Sequence, residues 1–267
     1  FKDSNSILVK FISKDKKALI DTKTAVPTGP TISISEQGVK AQNRTYQDLL
    51  KNKSDEHNFE QLALAELYKV DLNGNKTLWK ENDMYRGMSF SPDGNYILVT
   101  TIEKPFSYLV PYNRFPSKTT IYNADGSLVK TMLEIPLIED LPKGFMAVRT
   151  GKRNLSWRDD KPATLYWCEA LDGGDPAKEV DYRDEAFELN APFNGKATSL
   201  VKTIGRFAGI QWGTNTIAIA NDYWWNTRNT KTYIFNPSNS SIKPKIISDR
   251  NYQDTYSDPG SFVTKRN

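Results

Sequence analysis

The hydrophobic and polar positions follow one pattern that recurs three times along the chain. In each copy a short apolar stretch ends on an aromatic residue, a polar turn follows, and a second stretch is rich in β-branched and aromatic residues. Such stretches, bounded by Gly, Pro, Asn and Asp, are typical of β-strands joined by tight turns. The three copies span residues 88–102, 155–168 and 209–220.

Two further strands are predicted after the first copy and after the third. Residues 119–122 and 127–131 flank a turn that contains Asp125-Gly126, and Asp-Gly between apolar stretches is a strong hairpin signal. Residues 231–235 and 243–248 flank a Pro-Ser-Asn-Ser turn in the same way. The repeating unit is therefore predicted to be a sheet of four antiparallel strands.

The spacing of the repeats predicts the architecture. Phe90, Trp157 and Trp212 are 67 (157 − 90) and 55 (212 − 157) residues apart, whereas typical propeller blades span roughly 40–50 residues. A blade cannot bury both of its faces alone, so such sheets stack radially. We predict an all-β fold with one domain over residues 1–267, a partial β-propeller that begins in one blade, at a strand over 7–12, and ends in another, at 251–267.

A short helical insertion is predicted at about residues 44–65. Apolar residues occur there in two clusters with helical spacing, and Ser54 or Asp55 is expected to cap the second helix. The clusters are Tyr46, Leu49 and Leu50, followed by Phe59, Leu62 and Ala63.

The composition narrows the range of partners. The charged fraction is 25%, the formal net charge is only +4, and the mean hydropathy is −0.61. We therefore expect neither a nucleic acid partner, which would require clustered basic residues, nor a membrane partner, because no apolar run approaches the roughly 18 residues of a span. The one cysteine, Cys168, is predicted to be a buried small hydrophobic residue.

The residues suggest no catalytic machinery. The one histidine, His57, lies in a polar stretch and is interpreted as a helix-surface residue. The nucleophile motif G-x-S-x-G is absent, and the nearest stretch, 87–91, lacks the second glycine. A polar turn is the favoured interpretation of Asp172-Gly173-Gly174-Asp175, with calcium binding as the weaker alternative. No catalytic residue, metal or cofactor is expected.

Several motifs nevertheless resemble one known family. The most specific is the run over 148–175, which includes Trp157-Arg158, residues 160–167 and residues 172–175. Shorter matches are residues 28–31 with 43–50, residues 105–108, and Arg114-Phe115-Pro116. Together these motifs, which extend over nearly the whole chain, resemble the propeller region of glutamyl endopeptidases, serine peptidases of the prolyl oligopeptidase family.

The resemblance implies that this chain supports catalysis without carrying catalytic residues. In that family an α/β-hydrolase domain follows the propeller and carries the catalytic Ser, Asp and His, and no part of that domain is expected in this chain. The resemblance implies that the intact protein cleaves peptides after glutamate. It also implies that the propeller gates access to the active site, limits substrate size and contributes substrate contacts.

Arg114, Arg149 and Arg153 are the predicted substrate-binding residues. They are expected in loops that share one propeller face, because second-to-third strand loops and inter-blade connections lie at the same end of the blades. A guanidinium matches a carboxylate with a planar two-point fork, which suits a substrate glutamate. The alternative is that these arginines brace loops or a domain interface.

Other functions stay open at this point. An independent β-propeller scaffold that binds proteins or glycans is the first alternative, and a self-contained hydrolase with an unrecognised site is the second. The expected partners are peptide substrates and the hydrolase domain, and self-association through exposed blade edges is also expected. The predicted location is periplasmic or secreted for a bacterial protein and chloroplastic for a plant protein.

Overall fold

The described residues form strands almost throughout. The computed structural model describes residues 1–21, 23–24 and 46–263. The elements of this part are β1 Ser6–Ile12, α1 Lys53–Ala63, β2 Ala65–Asp71, β3 Lys76–Asp83, β4 Tyr85–Phe90, β5 Tyr96–Ile102, a 3-10 turn at Tyr112–Arg114, β6 Ser117–Asn123, β7 Leu128–Ile135, β8 Arg153–Trp157, β9 Thr164–Ala170, β10 Asp184–Asn190, β11 Thr198–Thr203, β12 Arg206–Thr214, β13 Ile217–Trp224, β14 Asn229–Phe235 and β15 Lys245–Asn251.

These strands form four antiparallel sheets in which neighbours in sequence are neighbours in space. Sheet A contains β1–β3, sheet B β4–β7, sheet C β8–β11 and sheet D β12–β15. Sheets B, C and D each have four strands, and sheet A has three. A four-stranded antiparallel meander is the blade unit of a β-propeller. The predicted fold class, an all-β partial propeller with a short helical insertion, is confirmed.

Several strands differ from their predicted bounds. The bounds of β5 are as predicted, whereas β9 and β13 run beyond the predicted ends at 168 and 220. The sequence patterns did not indicate β2 and β3, which directly follow the helical insertion. The tail was expected to start a new blade, but residues 252–263 form turns and no strand.

The chain divides into two compact units, Phe1–Asp140 and Leu141–Asn267. In the first unit, sheets A and B pack against each other through apolar side chains. Leu67 and Trp79 of sheet A meet Tyr85, Ile97 and Val99 of sheet B in one buried cluster. Because side chains alternate along a strand, the odd positions 67, 97 and 99 turn to this core and their neighbours face away.

In the second unit, sheets C and D pack in the same manner. Small and aromatic side chains alternate across the interface, including Cys168 and Ala186 of sheet C and Phe207, Ala218 and Tyr233 of sheet D. Cys168 is fully buried and unpaired, as predicted. Burial raises the pKa of its thiol to about 11, so the group stays protonated and unreactive at neutral pH.

The helical insertion is shorter than predicted, and its cap is a different residue. The Asn52 side chain accepts a hydrogen bond from the Asp55 backbone N–H at 2.9 Å. The prediction of Ser54 or Asp55 as the cap is therefore wrong, because Asn52 already supplies the acceptor that the first turn lacks. Residues 46–50 are not helical, and residues 44 and 45 lie outside the described residues, as do the motif residues 28–31.

Helix α1 packs on the loop between β5 and β6 through aromatic side chains. The ring of Phe59 lies 5.0 Å from that of Phe106 and 5.6 Å from that of Phe115, in edge-to-face arrangements. Met84 and Val110 complete the buried cluster below the helix. Such pairs add about 0.5–1.5 kcal/mol to the stabilisation from burial alone.

We expect Leu67→Ala to destabilise the first unit strongly. Leu67 is fully buried between sheets A and B, and removal of such a side chain leaves a cavity that costs about 2–5 kcal/mol. Urea unfolding followed by tryptophan fluorescence would measure the loss. Leu72→Ala is the matched control, because Leu72 is 77% exposed; an equal loss for both variants would contradict the packing described here.

Candidate functional site

Two of the three predicted arginines lie at one end of sheet C. At this end β8 and β10 begin and β9 and β11 finish, since Asp184 pairs with both Ala170 and Thr203. The 171–183 loop, the 204–205 connection and the segment that precedes β8 all meet there. Within the second unit, the predicted placement of strand connections at one end is thus observed.

An ion network, here called the arginine cluster, occupies this end. Its members are Arg149, Arg153, Arg183 and Arg206 with Asp172 and Asp184. Arg206 is 2% exposed and donates to both carboxylate oxygens of Asp172, at 2.9 and 2.7 Å. It also donates to Asp184 at 3.1 Å and to the Met146 carbonyl at 2.9 Å. This bidentate, buried geometry is the strong form of an arginine–carboxylate pair.

The two carboxylates also accept hydrogen bonds from backbone groups. Asp184 accepts from the Phe207 N–H at 2.8 Å, and Asp172 accepts from the Gly174 N–H at 2.9 Å. Gly174 has φ +81°, and a Cβ there would lie 2.0 Å from the Val148 carbonyl oxygen. Only glycine fits this loop, which therefore serves to hold Asp172 against the arginines.

The remaining arginines differ in how they are paired. Arg153 is 11% exposed, and its Nη2 lies 2.5 Å from Asp184. Arg183 donates to Asp172 at 3.0 Å and lies over the Trp224 ring, with its Cζ 4.1 Å from the centroid. Arg149 donates to the carbonyl of Thr150 at 3.0 Å and to that of Lys152. No Asp or Glu of the described residues forms an ion pair with Arg149.

The cluster therefore carries an excess of positive charge. Four guanidinium groups face two carboxylates, which leaves a formal charge of +2 (4 − 2). Burial, together with the neighbouring Arg153 charge, lowers the pKa of Arg149. A half-buried cation in this position gains free energy when an anion binds beside it.

Arg114 lies in the other unit, on the loop between β5 and β6. It ends the 3-10 turn, and its Cζ lies 5.3 Å from the Tyr46 ring centroid. Its Nη1 is buried and has no hydrogen-bond partner among the described residues. Arg114 is thus on a second-to-third strand loop, as predicted, but it does not belong to the arginine cluster.

The residues considered for other chemistry have structural surroundings. His57 lies on α1, and its Nε2 is 2.9 Å from the Ala18 carbonyl oxygen. Among the described residues, no three or more His, Cys, Asp or Glu side chains are grouped so that they could hold a metal ion. In the same residues, no helix has the length and apolar character needed to span a membrane.

A second buried ion group was not anticipated from the sequence. Arg158 is fully buried, pairs with Asp160 at 2.7 Å and with Glu188, and its Cζ lies 3.7 Å from the Trp212 ring centroid. The turn 158–162 had been interpreted only as a polar hairpin turn. Trp212, at the repeat position equivalent to Trp157, provides the aromatic face, and Asp160 and Glu188 provide the carboxylates that a buried charge needs.

The sequence comparisons identify relatives that extend along almost the whole chain. A probable glutamyl endopeptidase, chloroplastic, of Oryza sativa subsp. japonica is 38% identical over 91% of this chain and 26% of its own length. A protein with the same description from Arabidopsis thaliana is 35% identical over 99% of this chain and 28% of its own length. The resemblance to glutamyl endopeptidases is confirmed. The chain spans about a quarter of these glutamyl endopeptidases, and no protein family model matches it.

Comparison with solved structures gives more distant matches. The β-propeller domain of the Trilobed protease from Pyrococcus furiosus is 12% identical, with a TM-score of 0.41, over 69% of this chain and 49% of that domain. The acylaminoacyl peptidase of Pyrococcus horikoshii is 12% identical, with a TM-score of 0.40, over 64% of this chain and 27% of that protein. The relation to glutamyl endopeptidases depends on the sequence matches and not on these structures.

We expect Asp172→Asn to lower the free energy of unfolding by an amount that depends on pH. Burial opposes ionisation of Asp172, but hydrogen bonds from Arg206 and Arg183 outweigh it and lower the pKa of this carboxyl. A lowered folded pKa stabilises the protein above the unfolded pKa of about 3.9, and this stabilisation is lost as the pH falls through the folded value. Loss of a buried ion-pair partner costs about 3–5 kcal/mol.

Urea unfolding of wild type and variant from neutral to acidic pH would measure this effect. The difference in unfolding free energy should be largest at neutral pH and shrink below about pH 4. Asp175→Asn is the control in the same loop, since Asp175 accepts from the Ala177 N–H, which an asparagine oxygen could still do. A difference that does not change with pH would contradict the ion-pair role of Asp172.

Proposed function

We propose that this chain is the non-catalytic propeller portion of a serine endopeptidase. In this role it gates substrate access and helps to select acidic peptides for a hydrolase domain located elsewhere in the longer protein. The relation to probable glutamyl endopeptidases, of which the chain spans about a quarter, supports a shared architecture. The proposal about substrate selection depends on the charge of the arginine cluster.

Arg149 is the observation that carries the proposal. Its guanidinium is held by two backbone carbonyls and lies near Arg153, and no carboxylate of the described residues forms an ion pair with it. Backbone carbonyls fix the orientation of the group without cancelling its charge. A substrate carboxylate could therefore bind at a preorganised position, with little loss of side-chain entropy.

Arg153 and Arg114 have more mixed roles in this proposal. Arg153 pairs with Asp184, so bracing of the network is one of its functions, but its Nε has no hydrogen-bond partner in the described residues. Arg114 is stacked against Tyr46, and its buried Nη1 also lacks a partner there. Each of the two therefore retains an unused hydrogen-bond donor, although both donors are buried.

We expect Arg149→Ala in the intact protein to impair cleavage of acidic substrates selectively. Removal of one hydrogen-bonded ion contact costs about 1.5–3 kcal/mol, which corresponds to roughly a tenfold to hundredfold lower kcat/KM for a glutamyl reporter. The isosteric glutaminyl reporter should be affected much less, because it carries no charge. Arg153→Ala and Arg114→Ala are measured in parallel.

Lys178→Ala provides the control for loss of a positive charge at the same end of the unit. Lys178 is exposed in the 171–183 loop, and only its backbone takes part in hydrogen bonds. Its removal should leave both reporters unaffected. Unchanged kinetics on glutamyl reporters for all three arginine variants would end the selection proposal.

The gating role leads to a separate expectation about substrate size. If the propeller restricts access, the intact protein should cleave short peptides that contain glutamate and leave folded proteins uncut. Cleavage can be followed by mass spectrometry with one peptide and with the folded protein from which it is taken. Equal kcat/KM for the peptide and for the folded protein would contradict gating, whatever the outcome for the arginines.

Location and self-association remain proposals of the same kind. The relatives are described as chloroplastic, which agrees with a chloroplast location if this is a plant protein; a periplasmic or secreted location is the proposal for a bacterial one. Self-association through blade edges would use strands such as β1, which pairs on one side only with β2 among the described strands.

A further inference from the structure

An exposed aromatic stack is centred on the turn between β13 and β14 and includes Phe145 of the segment that precedes β8. The Trp225 stack consists of Phe145, Trp225 and Arg228, all within the second unit. Phe145 is 75% exposed, Trp225 is 39% exposed, and their ring centroids are 5.4 Å apart. Large aromatic side chains at such exposure leave apolar area in water that a partner can cover.

The turn that carries the stack is fixed by hydrogen bonds on both sides. The Arg228 N–H donates to the Trp225 carbonyl at 3.2 Å, and the Arg228 Nη1 donates to the same oxygen at 2.7 Å. The Tyr252 N–H in turn donates to the Arg228 carbonyl at 2.8 Å. Arg228 has φ +54°, a conformation that a non-glycine residue adopts at a cost of about 1 kcal/mol or more.

Arg228 is held in place by the Trp225 ring, but its charge has no ion-pair partner among the described residues. Its Cζ lies 3.6 Å from the Trp225 ring centroid, so the guanidinium plane is supported by the indole. Among the described residues, no carboxylate forms an ion pair with Arg228. A stacked guanidinium with free donors is well suited to bind a carboxylate through two hydrogen bonds.

A pocket of about 550 Å³ begins next to the stack. It reaches the turn through Thr227 and Asn229, and Ile204 and Trp224 give it apolar walls. Its charged lining side chains are already paired: Lys231 lies 2.8 Å from Asp249, and Arg183 lies 3.0 Å from Asp172. Arg228, beside the pocket, adds a positive charge that no carboxylate of the described residues pairs with.

We propose that the Trp225 stack and this pocket form a docking surface for a polypeptide segment in which an apolar side chain adjoins a carboxylate. The apolar side chain covers the exposed aromatic rings or enters the pocket, and the carboxylate pairs with Arg228. Trp and Arg are enriched among the side chains that dominate protein interfaces. A basic segment is disfavoured, since it would bring like charge to Arg228. The surface uses none of Arg114, Arg149 and Arg153, although Arg183 of the arginine cluster lines its pocket.

Fluorescence anisotropy with labelled hexapeptides would test this proposal on the whole chain. The probe is Gly-Leu-Glu-Leu-Glu-Gly. One matched peptide replaces both glutamates by glutamine, and another replaces both leucines by serine. We expect the probe to bind at least about tenfold more tightly than either matched peptide, since one charge-assisted bond or one buried leucine contributes that much.

The variants separate the surface from its neighbours. Trp225→Ala and Arg228→Gly should each weaken binding of the probe about tenfold or more. Glycine is chosen at 228 because it adopts the positive φ without strain. Phe145→Ala tests the same surface with little risk to folding, because that side chain is largely exposed. Tyr256→Ala, at a fully exposed aromatic residue, should leave Kd unchanged.

Three results would overturn the proposal. The first is an affinity that does not differ between the probe and its two matched peptides. The second is binding that survives Trp225→Ala and Arg228→Gly but is lost in Arg149→Ala, which would assign the peptide to the arginine cluster. The third is concentration-dependent dimerisation that Trp225→Ala abolishes without any peptide binding, which would assign the surface to a second copy of the chain.

Discussion

The buried pairing of Arg206 with Asp172 and Asp184 is the interaction on which the second unit depends. Several kcal/mol per ion are needed to remove charges from water, so the carboxylates must be fully hydrogen-bonded. Asp184 begins β10 of sheet C and accepts from Phe207 of sheet D, while Arg206 begins β12. The same network therefore joins two sheets, the 171–183 loop and the segment that contains Met146. Its disruption would leave unpaired charges at the point where the two sheets meet.

This network also accounts for the properties of the candidate site. Asp172 and Asp184, the carboxylates that hold the sheets together, form ion pairs with Arg206, Arg153 and Arg183. The hydrogen-bond partners of Arg149 are backbone carbonyls. Four guanidinium groups and two carboxylates therefore leave a net positive charge at this end of the unit. In the first unit the corresponding loop region is stabilised differently, because Phe59, Phe106 and Phe115 form an apolar aromatic cluster and Arg114 lies against Tyr46.

Aromatic faces are the common means by which this chain orients cations. Arg158 lies over Trp212, Arg183 over Trp224 and Arg228 over Trp225. A stacked guanidinium keeps its in-plane donors available while its faces are desolvated. Where a carboxylate lies within the unit, as for Arg158 and Arg183, the result is a brace. Where none does among the described residues, as for Arg228, the guanidinium has no ion-pair partner.

The alternation of apolar and polar residues and the turn residues between strands can be recognised within a few positions. The sequence by itself therefore determined the four-stranded meanders, the bounds of β5 and the burial of Cys168. Family motifs, which depend on residue identity alone, correctly indicated the relation to glutamyl endopeptidases. β2 and β3 were missed because Lys, Asn and Asp interrupt their alternation, and the pairing of β2 with β1 joins residues distant in sequence. Only the tertiary structure decided which arginines form ion pairs and which do not. The reason is that an ion pair requires a carboxylate from another strand or loop to lie within bonding distance.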